Sequence, residues 1–280
     1  MTAVAEAIGI SRQHLSAMHH RPPPRPRGRP PLPDADLLAD IRAIVTDLPT
    51  YGYRRVHALL RRQARKNGRE SPNPKRVYRV MKVHGLLLQP HSQKGEERRH
   101  DGRVAVDRRN TRWCSDALEI ACDNGEKVRV AFALDCCDRE AMGHVATTGG
   151  ITAEDVRDLM VATVEHRFGP VNRLAEPIEW LTDNGSPYVA GETRRFARDI
   201  GLLPRTTPVS SPQSNGMAEA FVRTLKRDYV RVNPRPDART VIEQIPAWLH
   251  HYNEVHPHKA LGYRSPREYI QQTREAPSGI

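Results

Sequence analysis

The sequence predicts a mixed β-sheet with helices on both faces, preceded by a small all-helical region. Three observations carry this. From residue 112 the chain opens with three strand-length segments and then alternates helix and strand, a pattern that argues for a mixed sheet. Residues 34–88 instead repeat apolar side chains at helical spacing. Charge divides the chain at the same place: residues 1–112 hold 24 Lys and Arg against 10 Asp and Glu, net +14, and the remainder is net −3, for +11 overall. The basic half has the electrostatic footprint of a polyanion binder, and the near-neutral half that of a folded catalytic body.

Residues 2–19 carry two short helical patterns flanking Gly9, with Ser11 placed to cap the second. This is the grammar of a partial helix-turn-helix over 1–20; a helical hairpin without DNA contact is the plainer alternative. Residues 21–33, dense in Pro and Arg, suit a stiff extended linker. A helical DNA-binding domain follows over 34–90. Residues 36–48 place Leu37, Ile41, Ile44 and Val45 on one stripe, and Pro49 stops it. A very basic helix begins after Tyr51-Gly52. Asn73-Pro74 opens a third helix with a cap and a first-turn proline, and Gly85 ends it. Arg54, Arg55, Arg61, Arg62, Arg65, Lys75, Arg76, Arg79 and Lys82 decorate this unit and are assigned to phosphate contact, against the alternative of a solvated basic face. Residues 91–110, polar and without period, read as a linker.

Within 111–272, strands are predicted over 112–122, 128–136 and 140–148, the first two joined by turn residues 123–126. A helix over 152–168, a strand over 178–182, a helix over 192–201 and a short strand over 203–207 follow. A long helix over 214–230 and another over 237–252 precede a Pro/Gly-rich tail and a short terminal helix. Residues 208–216 are expected to form a mobile loop over the site.

Three acids stand in settings that suit a metal-bound carboxylate. Asp116 lies in a strand where alternation puts it on the face of Leu118 and Ile120. A buried acid there, without a cation, would be costly. Asp183 ends the apolar run from Ile178 and precedes Asn184-Gly185, so a plain hairpin turn is its rival reading. Glu219 lies in a helical run, with 35 residues separating it from Asp183, on one face with Asn215, Arg223 and Lys226, while Phe221, Val222 and Leu225 face a core. Such a carboxylate set suits two-metal phosphodiester chemistry. Asp123, Asp135, Asp138 and Glu119 are decoys, Asp135 being the best substitute for Asp116. Ser115, Ser186 and Tyr188 read as neighbours of the site, since metal-assisted chemistry needs no covalent protein nucleophile.

No apolar run approaches the ~18 residues of a membrane span, and the N-terminus lacks a signal-peptide core, so a cytoplasmic protein is expected. Four cysteines show no zinc-ligand or CxxC spacing, which predicts reduced, part-buried thiols.

Trp113-x-x-Asp116, Leu181-Thr-Asp183-Asn-Gly-Ser and the run from Ser211 to Lys226, SPQSNGMAEAFVRTLK, resemble the catalytic signature of the retroviral-integrase superfamily. The tail from Tyr252 to Pro266 and Tyr51-Gly-Tyr-Arg-Arg extend the likeness to the second-reading-frame product of bacterial insertion-sequence family three transposases. Phe132–Glu140 and Thr147-Thr-Gly-Gly are similar to its insertion-sequence-2 branch. The resemblance implies a ribonuclease-H-like core with a mixed five-stranded sheet. It implies strand cleavage and strand transfer with Mg²⁺, Mn²⁺ being an alternative, and carries the metal acids onto Asp116, Asp183 and Glu219 and a DNA-contacting lysine onto Lys226. It also implies as partners the element's terminal inverted repeats, target DNA, a further copy on DNA, and the upstream-frame protein or its fused form, in a nucleoid-associated setting. A DNA-binding repressor with a silent core, or a nuclease that cuts without joining, are the rival readings.

Overall fold

The computed structural model describes residues 2–19, 33–89, 104–207 and 216–275. The linker over 21–32, most of the linker over 91–110, the loop over 208–215 and Asn215 lie outside the described residues. Two compact units divide the chain between Asp36 and Leu37.

In the first unit, α1 (Thr2–Ala7) and α2 (Arg12–His19) flank Gly9, whose φ of +66° supplies the left-handed turn residue. Ser11 Oγ accepts the His14 N–H at 3.2 Å, the predicted cap.

The second unit holds all but the first two residues of α3 (Ala35–Asp47), then α4 (Tyr53–Lys66) and α5 (Pro74–Val83). Ile41, Val56, Val77 and Met81 are fully buried between them. Asn73 Oδ1 accepts the Lys75 N–H at 2.8 Å with Pro74 at the first helical position, so the third helix starts where its sequence said it would.

A five-stranded sheet follows in the order β3-β2-β1-β4-β5. β1 (Arg112–Ala121) pairs antiparallel with β2 (Lys127–Asp135), and β2 likewise with β3 (Ala141–Thr147). β4 (Ile178–Thr182) runs parallel to β1, and β5 (Leu202–Thr206) parallel to β4. This is the ribonuclease-H-like arrangement expected. Strand alternation sorts the core into two layers. Cys114, Leu118 and Ile120 of β1 bury against α9 (Gly216–Leu225) and α10 (Ala238–Glu254), whereas Trp113 faces α6 (Ala153–Phe168) and α8 (Gly191–Asp199). α11 (Pro266–Glu275) closes the chain.

Two features depart from expectation. A short helix, α7 (Ser186–Val189), follows Asp183 where no periodic pattern can register over four residues. The long helix expected over 214–230 is α-helical only to Leu225 and continues as a π turn over Lys226–Val230. Such widened turns recur at functional sites. Here it carries Asp228, Tyr229 and Val230 inward, all buried.

Candidate active site

Cys114 of β1 is registered with Leu181 of β4 in the parallel pair. Two residues further along each chain stand Asp116 and, just past the end of β4, Asp183. Asp116 shares its strand face with Cys114 and Leu118, the face covered by α9. Glu219 lies in the first turn of α9, whose Met217, Ala218 and Phe221 anchor it on that face. Strand, strand end and helix thus bring the three predicted acids to one region of the sheet.

Their electrostatics report the proximity. The Asp116 carboxyl is pushed up to about 6, by burial first and then by the charges of Asp183 and Glu219, with the Ala117 N–H opposing. That N–H donates to Asp116 Oδ1 at 2.7 Å, and the Gly185 N–H donates to Asp183 Oδ1 at 3.0 Å. A side-chain carbon on residue 185 would come within 3.0 Å of the same Oδ1, which is the steric reason for glycine there. Behind the acids, Ser115 Oγ and Tyr188 Oη share a hydrogen bond of 3.1 Å, both side chains buried. Burial raises the Tyr188 phenol above its ordinary range, and Asp116 and Asp183 push the same way. The Tyr188 phenol stays protonated and tied to Ser115, the residue before Asp116.

Among the described residues no cation pairs with Asp116 or Asp183. Among those residues no group of three or more His, Cys, Asp or Glu side chains is already placed to hold a metal ion. Mutually repelling carboxylates, two of them turned onto backbone N–H groups, form an open acidic site. The donor set is all oxygen, which suits a hard divalent cation.

Asp135, the strongest decoy, is spoken for. It accepts N–H groups from Asn110 (2.8 Å), Cys137 (2.7 Å), Asp138 (3.1 Å) and the Trp113 indole (3.2 Å). Arg167 braces the same corner through Asp138 and Glu140, at 3.0 and 2.7 Å.

The basic residues divide. Arg55 Nη1 donates to Asp228 Oδ2 at 3.1 Å. Arg62 donates to Glu268 Oε2 at 2.7 Å and to the carbonyls of Glu254 and Val255. These two tie the helical domain to the catalytic body, which a reading of local pattern alone assigned to phosphates. Arg54, Lys75 and Arg79 are exposed on the helical domain, and Arg61 and Arg76 are half-buried. Arg223 and Lys226 are exposed along the helix that carries Glu219.

Residues 106–212 and 201–266 match two family descriptions, each reading Integrase core domain, and residues 32–94 match an HTH-like domain. The Escherichia coli transposase InsD for insertion element IS2A/D/F/H/I/K is 51% identical over 276 residues, covering 97% of this chain and 91% of that protein. This chain belongs to the insertion-element transposases with an integrase core. The IS2-9 transposase InsD of Escherichia coli strain K12 is also 51% identical, over 97% of this chain and 89% of its own length. Both relatives put the transposase in the insertion-sequence-2 branch, and its reaction class is polynucleotidyl transfer. A chain from the cryoEM structure of the simian T-cell lymphotropic virus intasome in complex with PP2A regulatory subunit B56 gamma is similar at 15% identity. It covers 86% of this chain and 76% of that one, with a TM-score of 0.47. No helix among the described residues of the transposase is long and apolar enough to cross a membrane.

Proposed function

We propose that this transposase cuts and joins DNA strands at a divalent-metal site held by Asp116, Asp183 and Glu219. The observation that carries the reading is geometric: β1, the end of β4 and the first turn of α9 bring the three acids to one region of the sheet, near enough that Asp183 and Glu219 add to the burial-driven rise of the Asp116 carboxyl. Bound Mg²⁺, or Mn²⁺ in its place, would supply Lewis-acid activation of a water or DNA 3′-OH and stabilisation of the leaving 3′ oxygen.

The chain's own groups do the rest. Asp116 and Asp183 offer the oxygen atoms not turned onto Ala117 and Gly185. Lys226 and Arg223 place positive charge along the helix of Glu219, where a DNA phosphate approaches. Arg54, Arg61, Lys75, Arg76 and Arg79 position the duplex of the terminal inverted repeats. The transposase works on DNA as more than one copy and with the upstream-frame protein or its fused form; membership of the family supports this.

The test is a joining assay with labelled element-end duplexes. Asp116→Asn, Asp183→Asn and Glu219→Gln should each abolish both cleavage and joining while duplex binding persists. A variant that still joins ends overturns the assignment of that acid, and wild-type cleavage without any joined product would favour the nuclease reading.

A further inference from the structure

The helical domain and the catalytic body meet along a groove of about 790 Å³. Tyr53, Arg54 and Arg55 of α4 line it together with Arg227 of the π turn, Lys259 and Tyr263. Four of these six are cations and no carboxylate lines the groove among the described residues. Asp228, paired with Arg55 at 3.1 Å and with Arg227 at 2.6 Å, offsets one of those charges and leaves a surplus of three. The volume is within the ~300–1,000 Å³ that accepts small organic molecules.

The aromatic residues are held in place. The Arg54 guanidinium lies 5.7 Å from the Tyr53 ring centre and donates to its Oη at 3.1 Å. Tyr263 has φ +63°, a left-handed conformation that bulky L residues rarely adopt and that costs free energy. Nothing in the metal chemistry uses this residue. Its backbone N–H donates to the His258 carbonyl at 2.7 Å, which fixes the turn that carries it.

We propose that this groove binds an unpaired nucleotide of a DNA strand, its base against Tyr53 and Tyr263 and its phosphates against Arg54 and Lys259. A base inside a duplex is already stacked on both faces and offers a protein only edges and phosphates. Aromatic faces beside a cationic track are useful to a base outside the stack. The groove also borders the helical run that carries Glu219. Arg227 follows Glu219 by eight residues of one continuous helical run. At ~1.5 Å per residue that is about 12 Å, or three to four nucleotides at ~3.4 Å each. The proposal rests on the carboxylate reading for this spacing alone.

The experiment uses the full chain and a short duplex with a single-stranded 3′ extension of thymidines carrying one 2-aminopurine, beside the same duplex with blunt ends. The wild type should quench the 2-aminopurine and bind the extended duplex at least about tenfold more tightly than the blunt one. Tyr263→Gly removes the ring and relieves the backbone, so it should keep its melting temperature, lose the quench and bring the two affinities close to equal. Asp116→Asn should quench like the wild type, which separates failure of the groove from failure of the cutting site. Equal wild-type affinity for the two duplexes, or full quenching by a folded Tyr263→Gly, overturns the proposal.

Discussion

Tyr51 of the helical domain hydrogen-bonds His256 of the catalytic body at 2.7 Å, across 205 positions of chain, and both side chains are buried. Burial raises the Tyr51 phenol above its ordinary range and holds the His256 imidazole well below its own, so two neutral groups share the hydrogen bond, its direction set by the imidazole tautomer. With the adjacent Arg55–Asp228 pair, this contact fixes the helical domain to the helical run of Glu219. Tyr51→Phe removes the hydroxyl and leaves the buried His256 Nδ1 without this partner. Denaturant unfolding should show a loss of about 1–3 kcal/mol; an unchanged midpoint would mean the contact contributes nothing to docking.

The same histidine predicts acid sensitivity. Its folded-state affinity for protons is depressed, so below about pH 6.5 the unfolded chain binds more protons than the folded one and stability is lost as the pH is lowered. One such group contributes a slope of up to about 1.4 kcal/mol per pH unit. Comparison of unfolding free energies for wild type and His256→Gln between about pH 7 and about pH 5 should show a shallower slope in the variant. Parallel slopes would refute the assignment.

Divalent metal should stabilise the wild type. Asp116 carries a carboxyl lifted to about 6 by burial and by its two acidic neighbours, and a bound cation relieves that repulsion. Thermal unfolding with Mg²⁺ should therefore rise by roughly RT ln(1 + [L]/Kd), about 2.7 kcal/mol at a hundredfold excess over Kd. Asp116→Asn and Asp183→Asn should lose most of this rise. A metal-dependent shift that survives both substitutions would place the cation elsewhere.

The settings of Asp116 and Glu219 were readable from sequence because each sits in a run whose periodicity reveals its face. Asp116 alternates with Leu118 and Ile120, and all three follow that pattern onto the α9 face. Glu219 precedes Phe221 and Leu225, which anchor its helix as expected. What escaped depends on partners distant in the chain. Arg55 and Arg62 look like any basic helix surface until Asp228 and Glu268 arrive from 173 and 206 positions away. Asp135 sits in as strand-like a run as Asp116, and only the N–H groups folded around it mark it as structural. The π turn is invisible to pattern because the buried Asp228 that it turns inward is a polar residue.

Salt dependence separates the two kinds of basic residue. Lys75 is exposed at the start of α5, and its removal should lower the slope of log affinity against log salt by about 0.9 if it neutralises one phosphate. Arg62 is committed to Glu268 and two carbonyls. Arg62→Ala should leave the slope unchanged and lower thermal stability instead. Titrations of one duplex at several salt concentrations decide the matter, and the opposite pairing of effects would return Arg62 to the DNA surface.

Lys226 and Glu219 should fail in different ways. Lys226 follows Glu219 by two helical turns and begins the π turn, exposed, too far along the axis (about 10 Å at 1.5 Å per residue) to share an ion with it. A lysine there acts as a point charge on a flexible stem that reaches a phosphate beside the cut. Lys226→Ala should weaken binding to element ends by about 1 kcal/mol or more and slow joining in proportion, with the Mg²⁺-dependent thermal shift retained. Glu219→Ala should abolish joining and diminish that shift, with end binding close to wild type. A paired assay of end binding, joining and metal-dependent melting distinguishes them. If Lys226→Ala joins ends at the wild-type rate, the lysine serves only the helix surface, and the cation beside the reacting phosphate must come from Arg223 or from the helical domain.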